Sequence, residues 1–383
     1  MKIIEVQWHR YHLPFLKPFA TAHGVITARE GIIVEIKTEG GISGIGEIAP
    51  LPTAGDAGLA AARSLLPALD ARLRGKELDE ALEMLTVGAD LSAVGAINWP
   101  PRLAATICGL EIALLDAIGK AGGHALCTRL SPSGSVPRAA IAVNAVIGAS
   151  TTHAAITAAR EASRSGFRCV KLKVGQAGNV QEEIERVAAV REAIGPDLHL
   201  RLDANEAWDL EKAIAFLSRC IPYDIQYVEQ PLKAHDLAGM RTLRNEVPIP
   251  VAVDESLHGL ESARLVLDQQ AADILVIKPQ LAGGLRAGQQ MIQAAAQRGV
   301  RSLVTSTLEA GIGVAAALHL AAASPAITLE CGLATLPLLV EDLLVDELPV
   351  SAGMLAVPGG PGLGVALDRR ALQRAIYNET TSV

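Results

Sequence analysis

Several things are scarce in this 383-residue chain, and each scarcity excludes something. There are only five cysteines, Cys108, Cys127, Cys169, Cys220 and Cys331, an odd number at wide intervals with no CxxC pair. That spacing argues against a disulfide framework or a zinc site and for reduced thiols, as in a cytoplasmic protein. Positive charge is also in short supply: 34 Lys and Arg against 41 Asp and Glu leave a net charge of −7. Nucleic acid and anionic membranes both select basic patches, so neither is an expected partner. The first fifteen residues, MKIIEVQWHRYHLPF, mix charges and aromatics with apolar residues and contain no apolar core of the kind a signal peptide needs. Among charge-free runs, Ala310 to Leu329 extends for 20 residues, but it is built on Ala and Gly and carries His319, Ser324 and Pro325. It reads as a buried helix running toward a strand rather than a membrane span. The glycines of GGISGIG at 40–46 lack the GxGxxG order, and no Ser-His-Asp or Cys-His arrangement stands out. His9 and His12 have no ligand spacing, and His258, close enough after Asp254-Glu255-Ser256 to approach a site there, reads more readily as a loop residue.

What is present is a large apolar fraction, 50% of residues, in a chain longer than the roughly 250 residues of a bare (β/α) barrel. Ile32 to Ile36, a Glu39-Gly40-Gly41 turn and Ile42 to Ile48 read as a hairpin, followed by helical spacing over 57–90 and from Arg102 to Lys120. From about residue 138 the texture becomes a regular alternation. Short β-rich runs fall at 140–147, 170–175, 198–205, 225–231, 249–256, 272–280, 301–309 and 326–333, with helical patterns between them. In one of these, Asn179 stands three before Glu182 as in a capping box, and Gly195 closes the helix. Eight such units predict a parallel barrel; an open doubly wound sheet is the less even alternative. The expected organisation is an α+β module over 1–128, completed by about 355–383, and a barrel over 129–354.

Active sites of such barrels form at the C-terminal ends of the strands. Lys171, Lys173, Asp203, Asn205, Glu229, Asp254, Glu255, Lys278, Ser306, Glu309 and Glu330 all fall late in a run. From Lys173 the intervals are 30 to Asp203, 26 to Glu229, 25 to Asp254 and 24 to Lys278, one strand-helix unit each. Any one of these carboxylates reads equally well as a salt bridge or a helix cap. Together, Asp203, Glu229 and Asp254 supply hard oxygen ligands for one cation, for which Mg2+ is suited and Mn2+ is an alternative. Lys171 and Lys173, two apart on a strand, face the barrel interior together. At about 6.5 Å and an effective dielectric of about 20 their repulsion is roughly 2.5 kcal/mol, which favours one of them as a neutral base. Lys278 arrives from the opposite side. Asn205, Ser306 and Glu309 are the candidate substrate contacts.

At KLK (171–173), DAN (203–205), VEQP (228–231), DES (254–256) and IKP (277–279) the chain resembles the enolase superfamily, in its muconate-lactonizing subgroup. The resemblance covers nearly the whole chain. It implies a modified (β/α)7β TIM-type barrel under an N-terminal α+β capping domain, magnesium on Asp203, Glu229 and Asp254, and Lys173 as the base that removes a proton next to a carboxylate. Phe19 to Gly24 would correspond to a lid. TSTLEAGIGVAAALHLAA (305–322) and CGLATLPLLVEDL (331–343) are similar to the o-succinylbenzoate synthases. The acidic DxD of dipeptide epimerases is replaced by LECGLAT. The implied reaction is a syn dehydration of 2-succinyl-6-hydroxy-2,4-cyclohexadiene-1-carboxylate through an enediolate, in menaquinone or phylloquinone biosynthesis. An N-succinylamino acid racemase, a cycloisomerase or an epimerase of the same subgroup remains open. So do a Schiff-base lyase on Lys173 or Lys278, a non-catalytic relative, and assembly into a homo-oligomer.

Overall fold

The computed structural model describes residues 1–21, 24–51, 57–85, 103–175 and 179–376. Three antiparallel strands open the chain: β1 (Ile3–Thr21), β2 (Gly24–Thr38) and β3 (Ser43–Ile48), in that order across the sheet. β1 pairs along β2, which extends well beyond the apolar run Ile32 to Ile36. Its pairing with β2 slips between Pro14 and Phe19, where Pro14 and Pro18 have no N–H to give the ladder. Helices α1 (Ala57–Leu73), α2 (Leu78–Met84), α3 (Ala104–Gly122) and α4 (Leu126–Leu130) complete this module. The glycines of GGISGIG are explained by α3: a Cβ on Gly44 or Gly46 would come within 2.0 Å of the carbonyl oxygens of Ala113 and Gly109. Strand and helix can approach this closely only without side chains between them.

The barrel begins with a strand run that splits in two, β4 (Ala140–Ala142) and β5 (Ala145–Ile147), followed by α5 (Thr152–Arg164) and β6 (Cys169–Lys173). Then come α6 (Val180–Ile194), β7 (His199–Asp203), α7 (Leu210–Cys220), β8 (Ile225–Glu229), α8 (Leu237–Glu246), β9 (Val251–Val253) and α9 (Leu260–Asp268). β10 (Ile274–Ile277), α10 (Pro279–Ala282), α11 (Leu285–Gln297), β11 (Arg301–Val304) and α12 (Gly311–Ala323) follow. β5 to β11 form one sheet in sequential order, every pair parallel. At α6 the Asn179 side chain accepts from the Gln181 N–H, and Gly195 ends the helix at φ 71°.

The eighth run departs from expectation. Residues 326–333 form no continuous strand, only isolated parallel bridges from Ile327 to Ser302, Gly332 to Thr305 and Cys331 to Val143. These still join β11 to the start of the barrel, which gives the modified (β/α)7β architecture. α12 is the charge-free run, and all thirteen of its residues are buried. Its lack of any polar face reflects complete enclosure between α4, α11 and the strands rather than lipid. Among the described residues no helix is long and apolar enough to cross a membrane.

After the barrel, β12 (Val350–Ser351) and β13 (Met354–Ala356) make a small antiparallel sheet with β4, and α13 (Arg369–Ala375) packs on β1. The tail is tied to the N-terminal module: Leu363 N–H donates to Asp116 (2.8 Å), Leu126 N–H to Gly362 O (2.7 Å), and Arg369 pairs with the buried Glu35.

Candidate active site

The alternation along β6 decides which side chains face inward. Val170 and Leu172 join the main apolar core, whereas Lys171 and Lys173 reach the cavity at the C-terminal end of the barrel. Register then aligns the acids beside them: Lys173 stands opposite Asp203, and Asp203 opposite Glu229, across three neighbouring strands. Asp254 follows β9 and Lys278 follows β10. All six line one cavity of about 220 Å³, together with Asn205, Glu255 and Ser306. Lys173 and Lys278 enter it from opposite sides of the carboxylate row.

Every ammonium is held by a carboxylate. Lys171 Nζ lies 2.8 Å from Glu229 Oε1 and 3.3 Å from Asp203 Oδ2. Lys173 Nζ donates to Asp203 Oδ2 and Asn205 Oδ1, each at 2.6 Å, and Lys278 Nζ to Asp254 Oδ2 at 2.5 Å. Burial works against the charge on Lys171, but Glu229 and Asp203 outweigh it and hold its pKa well above the ordinary lysine value. Repulsion between the two lysines therefore does not make Lys171 a neutral base here, because carboxylates compensate it. Lys278 is likewise raised, burial being outweighed by Asp254 and Glu255. Burial pushes Glu229 up to about 7; Lys171 opposes this, while Asp203 and Asp254 add to it. Asp203 is held well below the usual carboxylate range, since Lys173 and Lys171 overcome the cost of its burial.

Among the described residues, no three acids or imidazoles converge on one point in the way that holds a metal. Lysine ammonium groups do the neutralising instead. The donor set nevertheless fits a hard divalent cation: three carboxylates from consecutive strands, with Asp254 Oδ1 buried and without a hydrogen-bond partner. An orphaned carboxylate oxygen is costly unless something positive completes it. Gln230 holds this corner in place, its Oε1 accepting from the N–H groups of Asp254 (3.0 Å) and Ser256 (3.2 Å).

Two expected site residues lie elsewhere. Glu309 is buried outside the cavity, where its carboxylate accepts from its neighbour Thr307 N–H at 2.6 Å, so it is not a direct substrate contact. Glu330 turns to the opposite end of the barrel, bound by Arg201 (2.6 Å) and His199 (2.8 Å). Both fall late in their runs, but the irregular eighth segment and the turn after β11 redirect them. Glu255, the neighbour of Asp254, ends the same run. It faces the cavity and accepts from Asn205 Nδ2 at 2.9 Å, its pKa pushed up to about 8 by burial and then by Asp254. The apolar lining, Ile26, Leu51, Val146, Leu308 and Leu338, carried no sequence signal. The expected lid, Phe19 to Gly24, falls on residues 22 and 23 and on side chains 19–23 that lie outside the described residues.

Residues 3–130 match the mandelate racemase / muconate lactonizing enzyme N-terminal domain, and residues 154–371 the enolase C-terminal domain-like family. An o-succinylbenzoate synthase from Thermobifida fusca is 38% identical over 201 residues, 52% of this chain and 62% of that protein. An N-succinylamino acid racemase from Thermus thermophilus is 31% identical over 98% of this chain and 97% of its own length. The structure of a dipeptide epimerase from Enterococcus faecalis, complexed with Mg and the dipeptide L-Leu-L-Tyr, superposes with a TM-score of 0.85 at 27% identity. That superposition covers 96% of this chain and all of the epimerase.

Proposed function

The chain belongs to the enolase superfamily, in its muconate-lactonizing subgroup, and from that premise we propose that it is an o-succinylbenzoate synthase. The reaction is removal of water from 2-succinyl-6-hydroxy-2,4-cyclohexadiene-1-carboxylate, leaving the aromatic 2-succinylbenzoate. One observation carries the reading: two lysines, Lys173 and Lys278, flank a row of three carboxylates inside a cavity whose remaining lining, apart from Lys171 and Glu255 beside that row, is uncharged among the described residues. The ring carboxylate belongs at the carboxylate-and-lysine face, and the apolar and hydroxyl-bearing remainder suits the ring and its succinyl chain, whose terminal carboxylate would accept hydrogen bonds from hydroxyl groups such as that of Ser306.

Asp203, Glu229 and Asp254 would hold magnesium. Bound there, it supplies the positive charge that stabilises negative charge developing on the substrate carboxylate. Lys173, as the free amine, takes the proton from the ring carbon that bears the carboxylate. The same group returns that proton to the departing hydroxyl on the same ring face, so water leaves and the ring becomes aromatic. Lys278 places a positive charge on the opposite face. Asn205 accepts from Lys173 and fixes where its Nζ points; Lys171 stays charged and faces the substrate carboxylate. Ser306, with its hydroxyl 2.9 Å from that of Thr335, offers a neutral hydrogen-bonding group across the cavity.

The second reading is racemisation of N-succinylamino acids, favoured by the same two-sided lysine pair and by the full-length similarity to the Thermus thermophilus racemase. An amino-dipeptide substrate is disfavoured, because among the described residues the only acid lining the cavity besides Asp203, Glu229 and Asp254 is Glu255, next to Asp254, and none lies on the wall across from them. Parallel assays separate the readings: dehydration followed by ultraviolet absorbance, and exchange of the α-proton of N-succinyl amino acids in deuterated water. Dehydration at least a hundredfold more efficient than racemisation, by kcat/KM, supports the synthase; the reverse order assigns the racemase.

A further inference from the structure

The loop after β11 crosses the cavity rim, and Leu308 at its crest has φ 66°, the left-handed region that favours glycine. Leu308 also lines the cavity. A branched side chain remains in that conformation only where its surroundings impose it. Here they do so through the backbone. Glu309 Oε2 accepts from Thr307 N–H (2.6 Å) and Ser306 Oγ from Leu308 N–H (3.3 Å). Glu47, on β3 of the N-terminal module, accepts from Ala310 N–H and Gly313 N–H, both at 2.8 Å, and Asp342 accepts from Gly311 N–H at 2.8 Å. The Thr307 hydroxyl donates to Ala49 O at 3.1 Å. Gly313 completes the arrangement: a Cβ there would come within 2.7 Å of Glu309 Cβ, so its absence leaves room for Glu309 beneath the loop.

A loop that only had to turn would carry glycine at position 308. A leucine held in a glycine conformation, with its side chain in the cavity, is there for that side chain. Its place in the barrel gives it a task. β11 and the eighth run lie across the ring from β7 and β8, which carry Asp203 and Glu229. We propose that Leu308 sets the size limit for the part of the substrate that extends away from the carboxylate face, and that Glu309 is the positioning residue that holds Leu308 in place. This rests on the reading that the substrate carboxylate lies at the Asp203–Glu229–Asp254 face.

The test uses magnesium-loaded enzyme and three probes, 2-acetylbenzoate, 2-succinylbenzoate and 2-glutarylbenzoate, with Kd measured by calorimetry. Wild type is expected to bind the glutaryl probe about tenfold or more weakly than the succinyl probe, the scale of one methylene against a fixed wall. Leu308→Ala removes most of that ratio while changing the acetyl probe little. Glu309→Ala moves the ratio the same way, and Glu309→Gln, which keeps an acceptor for Thr307 N–H, retains it. Should Glu309→Ala fail to fold, Leu308→Ala and Glu309→Gln decide between them. Unchanged discrimination in Leu308→Ala, or an equal change for all three probes, overturns the inference alone. Wild type that binds none of the probes overturns the carboxylate-face reading and the inference with it. Discrimination without turnover of the cyclohexadiene carboxylate removes only the synthase assignment.

Discussion

Lysine and carboxylate side chains at the strand ends were legible because a barrel gives inward polar residues one place to be useful, and successive spacings of one unit repeat that signal. What spacing cannot show is orientation. Glu309 and Glu330 satisfy the same count, yet the first bends back onto its own loop and the second pairs with Arg201 at the far end of the barrel. Nor does spacing reveal Gln230 as the residue that holds the Asp254 turn, since a glutamine before proline carries no such mark. Replacing it by Ala strips the acceptor from two buried N–H groups and loosens one ligand. Magnesium affinity is expected to fall about 10- to 100-fold, the usual scale for a group supporting a ligand, and calorimetric titration measures it. Affinity within twofold of wild type would show that the turn holds itself. Lys278→Ala tests the two sides of the site. Exchange of the α-proton is expected to drop about 10²- to 10⁴-fold for one enantiomer of an N-succinyl amino acid and far less for the other. Equal losses on both would mean that Lys278 does not act on one face.

At the level of elements, the parallel strands were readable as short apolar runs between helices, and the charge-free run proved to be the enclosed α12. The eighth run was not readable as irregular, because apolar composition does not record whether hydrogen bonds form a continuous ladder. The split of 140–147 has the same origin: β4 turns to pair with β13, a strand from beyond the barrel. His319 makes α12 pH-sensitive. It is fully buried, with Nδ1 facing the Cys127 N–H (3.2 Å) and Nε2 facing Leu363 O (2.9 Å), an arrangement only the neutral ring satisfies. Burial lowers its pKa from 6.5 to about 4. Between those values the unfolded chain binds a proton that the native state does not, so stability is intact above pH 6.5 and falls as pH drops toward 4. The loss amounts to about 3 kcal/mol from this residue. Urea unfolding of wild type and His319→Gln across pH 4–7.5 should show a shallower dependence in the variant. Parallel curves would assign the acid sensitivity to other groups.

For the whole molecule, two modules, with a tail over about 355–383 completing the first, were expected from the change of texture near residue 138. The partners of that tail were not. Leu363 donates to buried Asp116, and Arg369 reaches Glu35, which has no exposed surface. Such pairings join residues 247 and 334 positions apart, a separation no local pattern encodes. Ending the chain after Val357 leaves both carboxylates short of a donor. Each is expected to cost about 1–3 kcal/mol, visible as a lower thermal midpoint. An unchanged midpoint would make the tail a passive strap. Glu47 shows why the modules act together, since one β3 side chain caps the start of α12 beside the cavity rim.

The claim that most needs testing is that Lys173 moves a proton at a site where Asp203, Glu229 and Asp254 hold magnesium. Turnover of 2-succinyl-6-hydroxy-2,4-cyclohexadiene-1-carboxylate by wild type and Lys173→Ala, each with magnesium and with EDTA, tests it directly. The expected result is turnover by wild type that EDTA abolishes and magnesium restores, with at least about a 10²-fold loss in folded Lys173→Ala. Undiminished turnover in the variant, or in wild type stripped of metal, would contradict the account.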